Sequence, residues 1–250
     1  MEIQIHKFGE IDSTNLEVIR RIKNGAPEGT LVQAESQISG RGRRGRAWNS
    51  PAGSNLYMSL LLRPQISLET SAMMTLIMAL SCVEGIRKVT GLTCGIKWPN
   101  DIVYHRKKLV GILTEVSLLE DGAYALVCGV GINVSEQQFP AELEDKATSL
   151  LLEFGKPVDV DRLRDEILDS FKKHYEIFLR KQNLGFLKEK YEKYLLNKGQ
   201  EVRVLDPKGE FQGVALGIDN QGQLLVKTKE DTVVPVYAGE VSVRGLYEYV

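Results

Sequence analysis

The sequence predicts an α+β protein in which a mixed sheet flanked by helices is followed by a small SH3-like β-barrel. Up to Lys198, strand-like and helix-like segments are interleaved, and two of the helical patterns are long. After Gly199 the chain changes to short strands separated by turns, and five such strands in about fifty residues are typical of a small barrel. We therefore expect a first domain of residues 1–198 and a second domain of residues 199–250.

Composition and charge exclude several classes of protein. The chain has 250 residues and a formal net charge of −1, so it is not a general binder of polyanions. Its three cysteines have no paired or metal-like spacing and are expected to be buried, reduced thiols. The amino terminus lacks the apolar core of a signal peptide, and the apolar run 72–83 is too short to span a membrane. We expect a soluble, cytoplasmic protein.

The amino-terminal segment predicts a strand, a helix and a second strand. Residues 3–8 alternate loosely, and apolar residues with helical spacing follow the polar residues 12–15 and stop at Gly25. Helix capping is the simpler account of residues 13–15, and binding of a small polar ligand at the helix start is the alternative. Residues 30–36 and 55–62 then have strand patterns.

Residues 39–54, between those two strands, form a loop rich in arginine and glycine. Four arginines fall within six positions, and no acidic residue occurs between Ser36 and Leu68. Guanidinium groups bind carboxylates and phosphates through paired hydrogen bonds, and glycines let backbone N–H groups approach an anion. With little apolar surface to fix its shape, the loop is expected to be mobile until an anion orders it. A solvated or non-specific nucleic-acid patch is the alternative.

The pattern G-x-G-x-x-G at residues 40–45 also matches a dinucleotide-binding motif. That motif requires a helix beginning at the glycines and an acidic residue about twenty positions further on. Here Pro51 blocks a helix, and no acidic residue follows at that distance. The sequence therefore argues against a dinucleotide-binding fold.

A long helix and a proline-containing turn follow the loop. Residues 67–90 have helical spacing and predict an amphipathic helix capped by Ser67 and closed by Gly91. Residues 97–101, Lys-Trp-Pro-Asn-Asp, predict a turn, and the basic segment 106–108 predicts the tip of a hairpin.

The rest of the chain predicts a hairpin, two helices and the barrel. The hairpin joins residues 110–118 to 123–134, and its glycines indicate close approach of a ligand or another backbone. Residues 159–182 predict a helix with Leu163, Ile167, Phe171 and Phe178 facing inward, and residues 184–196 predict another helix. His174 has no metal-like partner in the sequence and is interpreted as a surface or interface residue.

Four motifs in this order resemble those of the biotin protein ligases, which attach biotin to carboxylases. They are Gly40-Arg-Gly-Arg-Arg-Gly-Arg46 with Trp48, Lys97-Trp-Pro-Asn-Asp101, Lys108-Leu-Val-Gly111-Ile-Leu, and Gly129-Val-Gly-Ile-Asn133-Val. The resemblance covers nearly the whole chain and implies a class II synthetase-like catalytic domain. It also implies that biotin and ATP form biotinyl-5′-AMP, and that biotin then passes to a lysine of a biotin carboxyl carrier protein. Mg²⁺ would assist without direct ligation by protein side chains.

The resemblance also implies roles for individual residues. The implied biotin site comprises Ser13, Thr14, Asn15, Gln37, Gly40, Arg41, Gly42, Arg43, Lys108, Gly111, Leu113, Gly129 and Gly131. The implied ATP site comprises Arg43, Arg46, Trp48, Asn100, Lys108 and Asn133. The implied catalytic residues are Arg43, Lys108 and Asp101. Lys108 would bridge the biotin carboxylate and the α-phosphate, and Asp101 would orient the acceptor amine.

Two further expectations concern partners. Some family members carry an amino-terminal DNA-binding domain, whereas only about a dozen residues precede Ser13 here, so we expect the form without that domain and no DNA binding. Family members often dimerise through the sheet, which implies a homodimer.

Two other functions remain as alternatives. A lipoate or other acyl-protein ligase of the same fold would lack the arginine loop. A nucleic-acid-binding protein should show a wider basic face than a net charge of −1 and 7% aromatic residues indicate.

Overall fold

Seven strands form one mixed sheet in the computed structural model, which describes residues 1–53, 55–206, 209–238 and 242–245. They are β1 (Gln4–Ile11), β2 (Thr30–Gln37), β3 (Leu56–Leu62), β4 (Gly95–Lys97), β5 (Asp101–Tyr104), β6 (Lys107–Leu118) and β7 (Tyr124–Ile132). Their order is β1-β2-β3-β7-β6-β5-β4, in which β1 and β2 are parallel and the other neighbours antiparallel. Residue 54 of the predicted loop and residues 246–250 of the predicted barrel lie outside the described residues.

Helices cover both faces of this sheet. Helix α1 (Thr14–Lys23) packs on one face, where its buried residues Val18 and Ile22 join an apolar cluster with strand residues. Helix α2 (Met73–Thr90) lies over the other face, and α3 (Leu150–Phe154) is a short helix after β7. Helix α4 (Val160–Lys181) packs against α2, and α5 (Lys188–Glu192) follows it. The four α4 residues predicted to face inward are each 0% exposed, which confirms the helical pattern.

The prediction of one amphipathic helix over residues 67–90 was wrong in two respects. Residues Leu68–Ala72 form a separate 3₁₀ turn, and α2 begins only at Met73. Of the 18 residues of α2, 14 are buried, because the sheet covers one side of the helix and α4 covers another. A helix enclosed in this way is apolar nearly all round. Gly91, with φ of 79°, closes the helix as predicted.

The prediction for residues 184–196 was also wrong, and His174, interpreted as a surface or interface residue, lies in an interface within the protein. Residues 184–196 contain only the short helix α5, because their backbone bonds to other elements: Leu184 N–H donates to Asn220 O, and Ile96 N–H donates to Tyr194 O. His174 is not on the surface. It is 9% exposed, and its Nε2 lies 2.8 Å from Glu84 Oε2 in the α2–α4 interface. Ser170 and Lys190 also contact that carboxylate, and we call these four residues the Glu84 cluster.

The carboxyl-terminal strands form a five-stranded antiparallel sheet, as predicted from their turn spacing. The strands are β8 (Glu201–Leu205), β9 (Phe211–Ile218), β10 (Leu224–Thr228), β11 (Val233–Val236) and β12 (Ser242–Gly245), in the order β11-β10-β9-β8-β12. This sheet is tied to the larger one, because the indole Nε1–H of Trp98 donates to Gly222 O at 3.0 Å.

Two further expectations concern the state of the cysteines and the length of the apolar helices. Cys82, Cys94 and Cys128 are free and buried, as predicted, and burial raises the pKa of Cys94 and Cys128 to about 12. Within the described ranges, no helix combines the length and apolar character that crossing a membrane requires.

Candidate functional site

The arginine loop between β2 and β3 has a hydrogen-bonded shape. Trp48 N–H donates to Gly40 O at 2.8 Å, and Gly42 N–H donates to Arg46 O at 2.7 Å. A Cβ atom on Gly40 would lie 2.4 Å from Trp48 O, so this position requires glycine. The expectation that the loop cannot fix its own shape was therefore wrong: backbone hydrogen bonds and close packing compensate for the missing apolar surface.

Beside the loop, on the α1 face of the sheet, lies a cavity of about 50 Å³, which we call the inner cavity. Fourteen of the residues singled out from the sequence line it: Ser13, Thr14, Asn15, Gln37, Arg41, Gly42, Arg43, Trp48, Asn100, Lys108, Gly111, Leu113, Gly129 and Gly131. The four motifs and the start of α1, which are five separate segments of the chain, thus meet at one place.

A second cavity of about 260 Å³, the outer cavity, adjoins the first. Arg46 and Asn133 line it, and Trp48 and Lys108 line both cavities. The outer cavity also contains residues that sequence reasoning missed, namely Asn55, Glu136, Phe139, Leu143, Lys146 and Ala147. Phe139 and Leu143 lie between the predicted hairpin and the helix predicted at residues 159–182, in a segment whose sequence pattern predicts no element. Asn55 could have been noticed as a polar residue at the start of a buried strand.

Two of the predicted residues line neither cavity. Gly40 lies beneath the loop against Trp48 and Ser50, where it supports the loop backbone. Asp101 lies behind Lys108, with Oδ1 at 2.8 Å from Lys108 Nζ. Asn100, beside it, does line the inner cavity, and its Oδ1 accepts a hydrogen bond from Arg43 Nη1 at 2.9 Å.

The inner cavity carries an excess of positive charge. Arg41, Arg43 and Lys108 line it, whereas no acidic side chain is among its lining residues in the part of the chain that the structure describes. Burial lowers the pKa of Arg43, with Arg44 and Arg46 adding to the effect, although nearby Asp101 opposes it. A cation held under such conditions gains from an anion placed beside it. The cavity is therefore suited to a carboxylate or phosphate.

Trp48 separates the two cavities. Its indole lies over Gly111 and Gly131, where added Cβ atoms would come within 2.6 and 2.5 Å of the ring. Lys108 Nζ lies 5.2 Å from the ring centroid, a cation–π distance. The indole Nε1 is buried and has no hydrogen-bond partner in the described structure. The predicted close approach to these glycines is thus made by a protein side chain.

The start of α1 serves the cavity rather than capping the helix. Ser13 occupies the cap position, but its side chain makes no capping hydrogen bond. The Thr14 N–H and hydroxyl both contact Gln37 Oε1, at 2.8 and 3.1 Å, and Asn15 points toward the sheet. Of the two accounts left open by the sequence, the geometry favours a ligand site.

The basic hairpin tip at residues 106–108 was misplaced. His105 and Arg106, with φ of 44° and 67°, form the tip, and Lys107 already begins β6. Lys108 consequently lies in a strand, where its side chain has a fixed direction. A fixed side-chain direction suits Lys108, because its side chain lines both the inner and the outer cavity.

The described residues contain no group of three or more histidine, cysteine or acidic side chains able to hold a metal ion. Taken together, the mixed sheet, the adjoining antiparallel sheet and the cationic double cavity define an α+β protein with adjoining sites suited to two anionic groups.

Comparison with known proteins identifies the family. Residues 9–133 match the biotin/lipoate A/B protein ligase family, and residues 199–244 match the biotin protein ligase C-terminal domain. The chain belongs to the biotin/lipoate A/B protein ligase family.

Individual relatives agree with this assignment. The chain is 41% identical over 235 residues to the bifunctional ligase/repressor BirA of Bacillus subtilis, covering 92% of this chain and 71% of the relative. It is 33% identical to the biotin–acetyl-CoA-carboxylase ligase of Mycobacterium tuberculosis, covering 95% of this chain and 88% of that protein. The structure of a biotin protein ligase from Aquifex aeolicus in complex with biotin and ATP matches with a TM-score of 0.85 at 32% identity, covering 97% and 99% of the two chains.

Proposed function

We propose that this protein activates biotin with ATP and transfers the biotinyl group to a lysine of a biotin carboxyl carrier protein. The observation that carries the proposal is the position of Lys108, which lines both cavities and is fixed on β6. One ammonium group at the junction of two cavities can contact an acid in one and a phosphate in the other. The relatives that share this arrangement include a ligase whose structure was determined with biotin and ATP.

In this proposal the inner cavity takes biotin and the outer cavity takes the nucleotide. The biotin site comprises Ser13, Thr14, Asn15, Gln37, Arg41, Gly42, Arg43, Lys108, Gly111, Leu113, Gly129 and Gly131, with Gly40 supporting the loop. The nucleotide site comprises Arg46, Trp48, Lys108 and Asn133, with Arg43 and Asn100 at its boundary. Because the inner cavity holds only about 50 Å³, room for a few water molecules, Trp48 moves aside when biotin enters.

In the first step a biotin carboxylate oxygen attacks the α-phosphorus of ATP. A bond forms between that carboxylate oxygen and the α-phosphorus. The bond between the α-phosphorus and the oxygen that bridges it to the β-phosphate breaks, and pyrophosphate leaves. Two anions must approach each other, so cations are needed where negative charge accumulates. Lys108 and Arg43 supply them in the cavity, and the arginine loop limits access of water to the mixed anhydride.

In the second step the acceptor lysine amine attacks the biotinyl carbonyl carbon, an amide forms, and AMP leaves. Such an amine has an ordinary pKa of about 10.4 and must lose a proton to react. Asp101 orients it and takes that proton. Its carboxylate lies 2.8 Å from the ammonium of Lys108, which lines both cavities, and this contact supports the role.

Mg²⁺ would accompany the ATP phosphates and offset their charge. The ion would be held mainly by phosphate oxygens and water, as Mg²⁺ commonly is at ATP sites. We place the division between the catalytic and carboxyl-terminal domains at residues 198 and 199, because the helices end before this point and strands β8–β12 follow it.

The buried reduced thiols support a cytoplasmic location.

We also propose a homodimer formed through the large sheet. On one side β6 pairs with β7 along its length, whereas on the other side β5 covers only residues 107–111 in the described pairings. Val116 and Leu118, in the uncovered part, are 43% and 75% exposed. A partly open strand edge with exposed apolar residues favours pairing with a second sheet.

The experiment that tests the function is pyrophosphate release from Mg-ATP with biotin, with lipoate and without added acid. We expect biotin-dependent release that stops near one equivalent per site until a carrier protein is added. Release with lipoate alone would assign the lipoate-ligase alternative instead. Release with neither acid would contradict carboxylate activation altogether.

A further inference from the structure

Glu115 is a carboxylate beside the inner cavity that neither the motifs nor the proposed reaction uses. It lies on β6, on the same face as Gly111 and Leu113, because side chains two residues apart share a face of a strand. Its Oε2 accepts a hydrogen bond from Asn15 Nδ2 at 2.7 Å, and its Oε1 lies 3.1 Å from Arg41 Nη2. One carboxylate therefore contacts both the start of α1 and the arginine loop.

An ionised carboxylate can only accept hydrogen bonds, and this fixes the direction of its neighbours. Because Glu115 accepts, Asn15 must present its NH₂ group to it and turn its Oδ1 toward Ser59. The Ser59 hydroxyl, which is 0% exposed, lies 2.5 Å from that Oδ1 and donates to it. The same hydroxyl lies 2.7 Å from Thr14 Oγ1, and the Thr14 hydroxyl donates to Gln37 Oε1 at 3.1 Å.

The outcome is a set of oriented groups at the inner end of the cavity. With its proton committed to Gln37 Oε1, Thr14 presents only oxygen lone pairs to a ligand. Gln37 Oε1 already accepts from Thr14 N–H, and its Nε2 donates to Ser50 Oγ at 2.9 Å. This end of the cavity therefore offers acceptors to an N–H donor, such as those on the ureido ring of biotin, and Glu115 fixes the direction of the Asn15 and Ser59 groups beside it.

We propose that Glu115 is a positioning residue that orients Asn15 and Ser59, beside Thr14, for biotin recognition and holds Arg41 of the loop against the sheet. This inference rests on the proposed function, because biotin is the ligand whose recognition it explains. A neutral glutamine at the same position can either donate or accept. It would lose the charge that attracts Arg41 and would leave Asn15 free to reverse its amide.

The test compares steady-state pyrophosphate release by the wild type, Glu115→Gln and Glu17→Gln. Glu17 is on the same side of the protein and pairs with Arg20 and Arg21 away from the cavities, so it controls for loss of one negative charge. We expect the KM for biotin to rise about tenfold in Glu115→Gln, with the kcat and the KM for ATP within about twofold. Glu17→Gln should match the wild type.

A double variant, Asn15→Asp with Glu115→Gln, exchanges the amide and the carboxylate between the two positions and should restore the direction of the hydrogen bonds. There the glutamine donates to the new carboxylate, which still accepts from Ser59, so the original direction returns. We expect its KM for biotin to be lower than that of Glu115→Gln alone. An unchanged KM in Glu115→Gln, or no recovery in the double variant, would overturn the inference while leaving the function intact. A wild type that does not respond to biotin would overturn both.

Discussion

The Glu84 cluster and the inner cavity lie on opposite faces of the same sheet and differ in how their charged groups are arranged. The cluster surrounds one carboxylate with protein groups, whereas the cavity is lined by cations. In the cluster, one carboxylate is contacted by Ser170, His174 and Lys190. Burial alone would raise the pKa of Glu84, but these hydrogen bonds outweigh it and lower the pKa to about 2. In the cavity, two arginines and a lysine line a space with no acidic side chain among its described lining residues.

The difference separates charge used for stability from charge used for function. A carboxylate supplied with three donors is satisfied within the folded protein and needs no ligand. The cavity cations have acidic partners only outside the lining, Glu115 for Arg41 and Asp101 for Lys108, so a bound anion can still stabilise the positive charge that they present to the cavity. Variants on the two faces should therefore affect different measurements.

The largest expected effect comes from Lys108→Met, which keeps the aliphatic stem beside Trp48 and removes the ammonium. Biotin-dependent pyrophosphate release should fall about 10³-fold, the usual loss when a group that stabilises transition-state charge is removed. The melting temperature should change little. Lys107→Met is the matched control, because Lys107 precedes it on β6 and contacts Glu144 O instead. Comparable loss in both variants would contradict a special role for Lys108.

Asp101→Asn should separate the two half-reactions. If Asp101 takes the proton of the acceptor amine, transfer to carrier protein should fall about 10²-fold while adenylate formation stays within a few-fold of the wild type. Single-turnover measurements with preformed adenylate would distinguish the two steps. Equal losses in adenylation and transfer would show that Asp101 acts mainly by holding Lys108, 2.8 Å away.

On the opposite face, Glu84→Gln should reduce stability without altering the chemistry. The pKa of about 2 against an ordinary value of 4.5 corresponds to about 3 kcal/mol. Screening at half-exposed Lys190 reduces the expected loss at pH 7 to about 2 kcal/mol. Urea unfolding measures it, and the kcat of the folded variant should equal that of the wild type.

The pH dependence of the stability lost in Glu84→Gln follows from the direction of the Glu84 pKa shift. Because the folded pKa is lowered, the stabilisation is fully present above pH 4.5 and is lost as the pH falls toward 2. The unfolding free energies of wild type and Glu84→Gln should therefore converge in that window. A difference that stays constant down to pH 2 would point to lost packing rather than lost charge.

The sequence predicted the elements whose signal is local. The α4 residues Leu163 and Phe171 recur at helical spacing and are buried, and Gly91 ends α2 as expected. The same reasoning failed where a distant partner decides the outcome. The enclosed α2 has a neighbour on each side, and residues 184–196 bond to β4 and to the carboxyl-terminal sheet instead of forming a full helix.

The site shows the same division between local and distant information. The arginines and glycines of the loop and the Lys-Trp-Pro-Asn-Asp turn are unusual enough to be noticed in the sequence alone. Glu115 is not, because an acidic residue in an alternating strand has the pattern of a solvent-facing position. Only the fold brings it within 2.7 Å of Asn15, a hundred positions earlier in the chain. Likewise, the strand glycines predicted close approach but could not identify the groups that approach them.

Gly129→Ala tests that close approach and gives the smallest expected effect. A Cβ atom at Gly129 would lie 2.1 Å from Asn15 Oδ1, so Asn15 must shift and the hydrogen bonds from Ser59 and to Glu115 must lengthen. We expect roughly a tenfold weaker binding of biotin, about 1.4 kcal/mol, at the lower end of the cost of overpacking. Gly9→Ala on β1 is the control, since a Cβ atom there meets nothing within 4 Å. Titration calorimetry of both variants with biotin measures the difference. If Gly129→Ala bound biotin as tightly as Gly9→Ala, the position of Asn15 would not matter for recognition, and the contrast between the two faces would rest on charge alone.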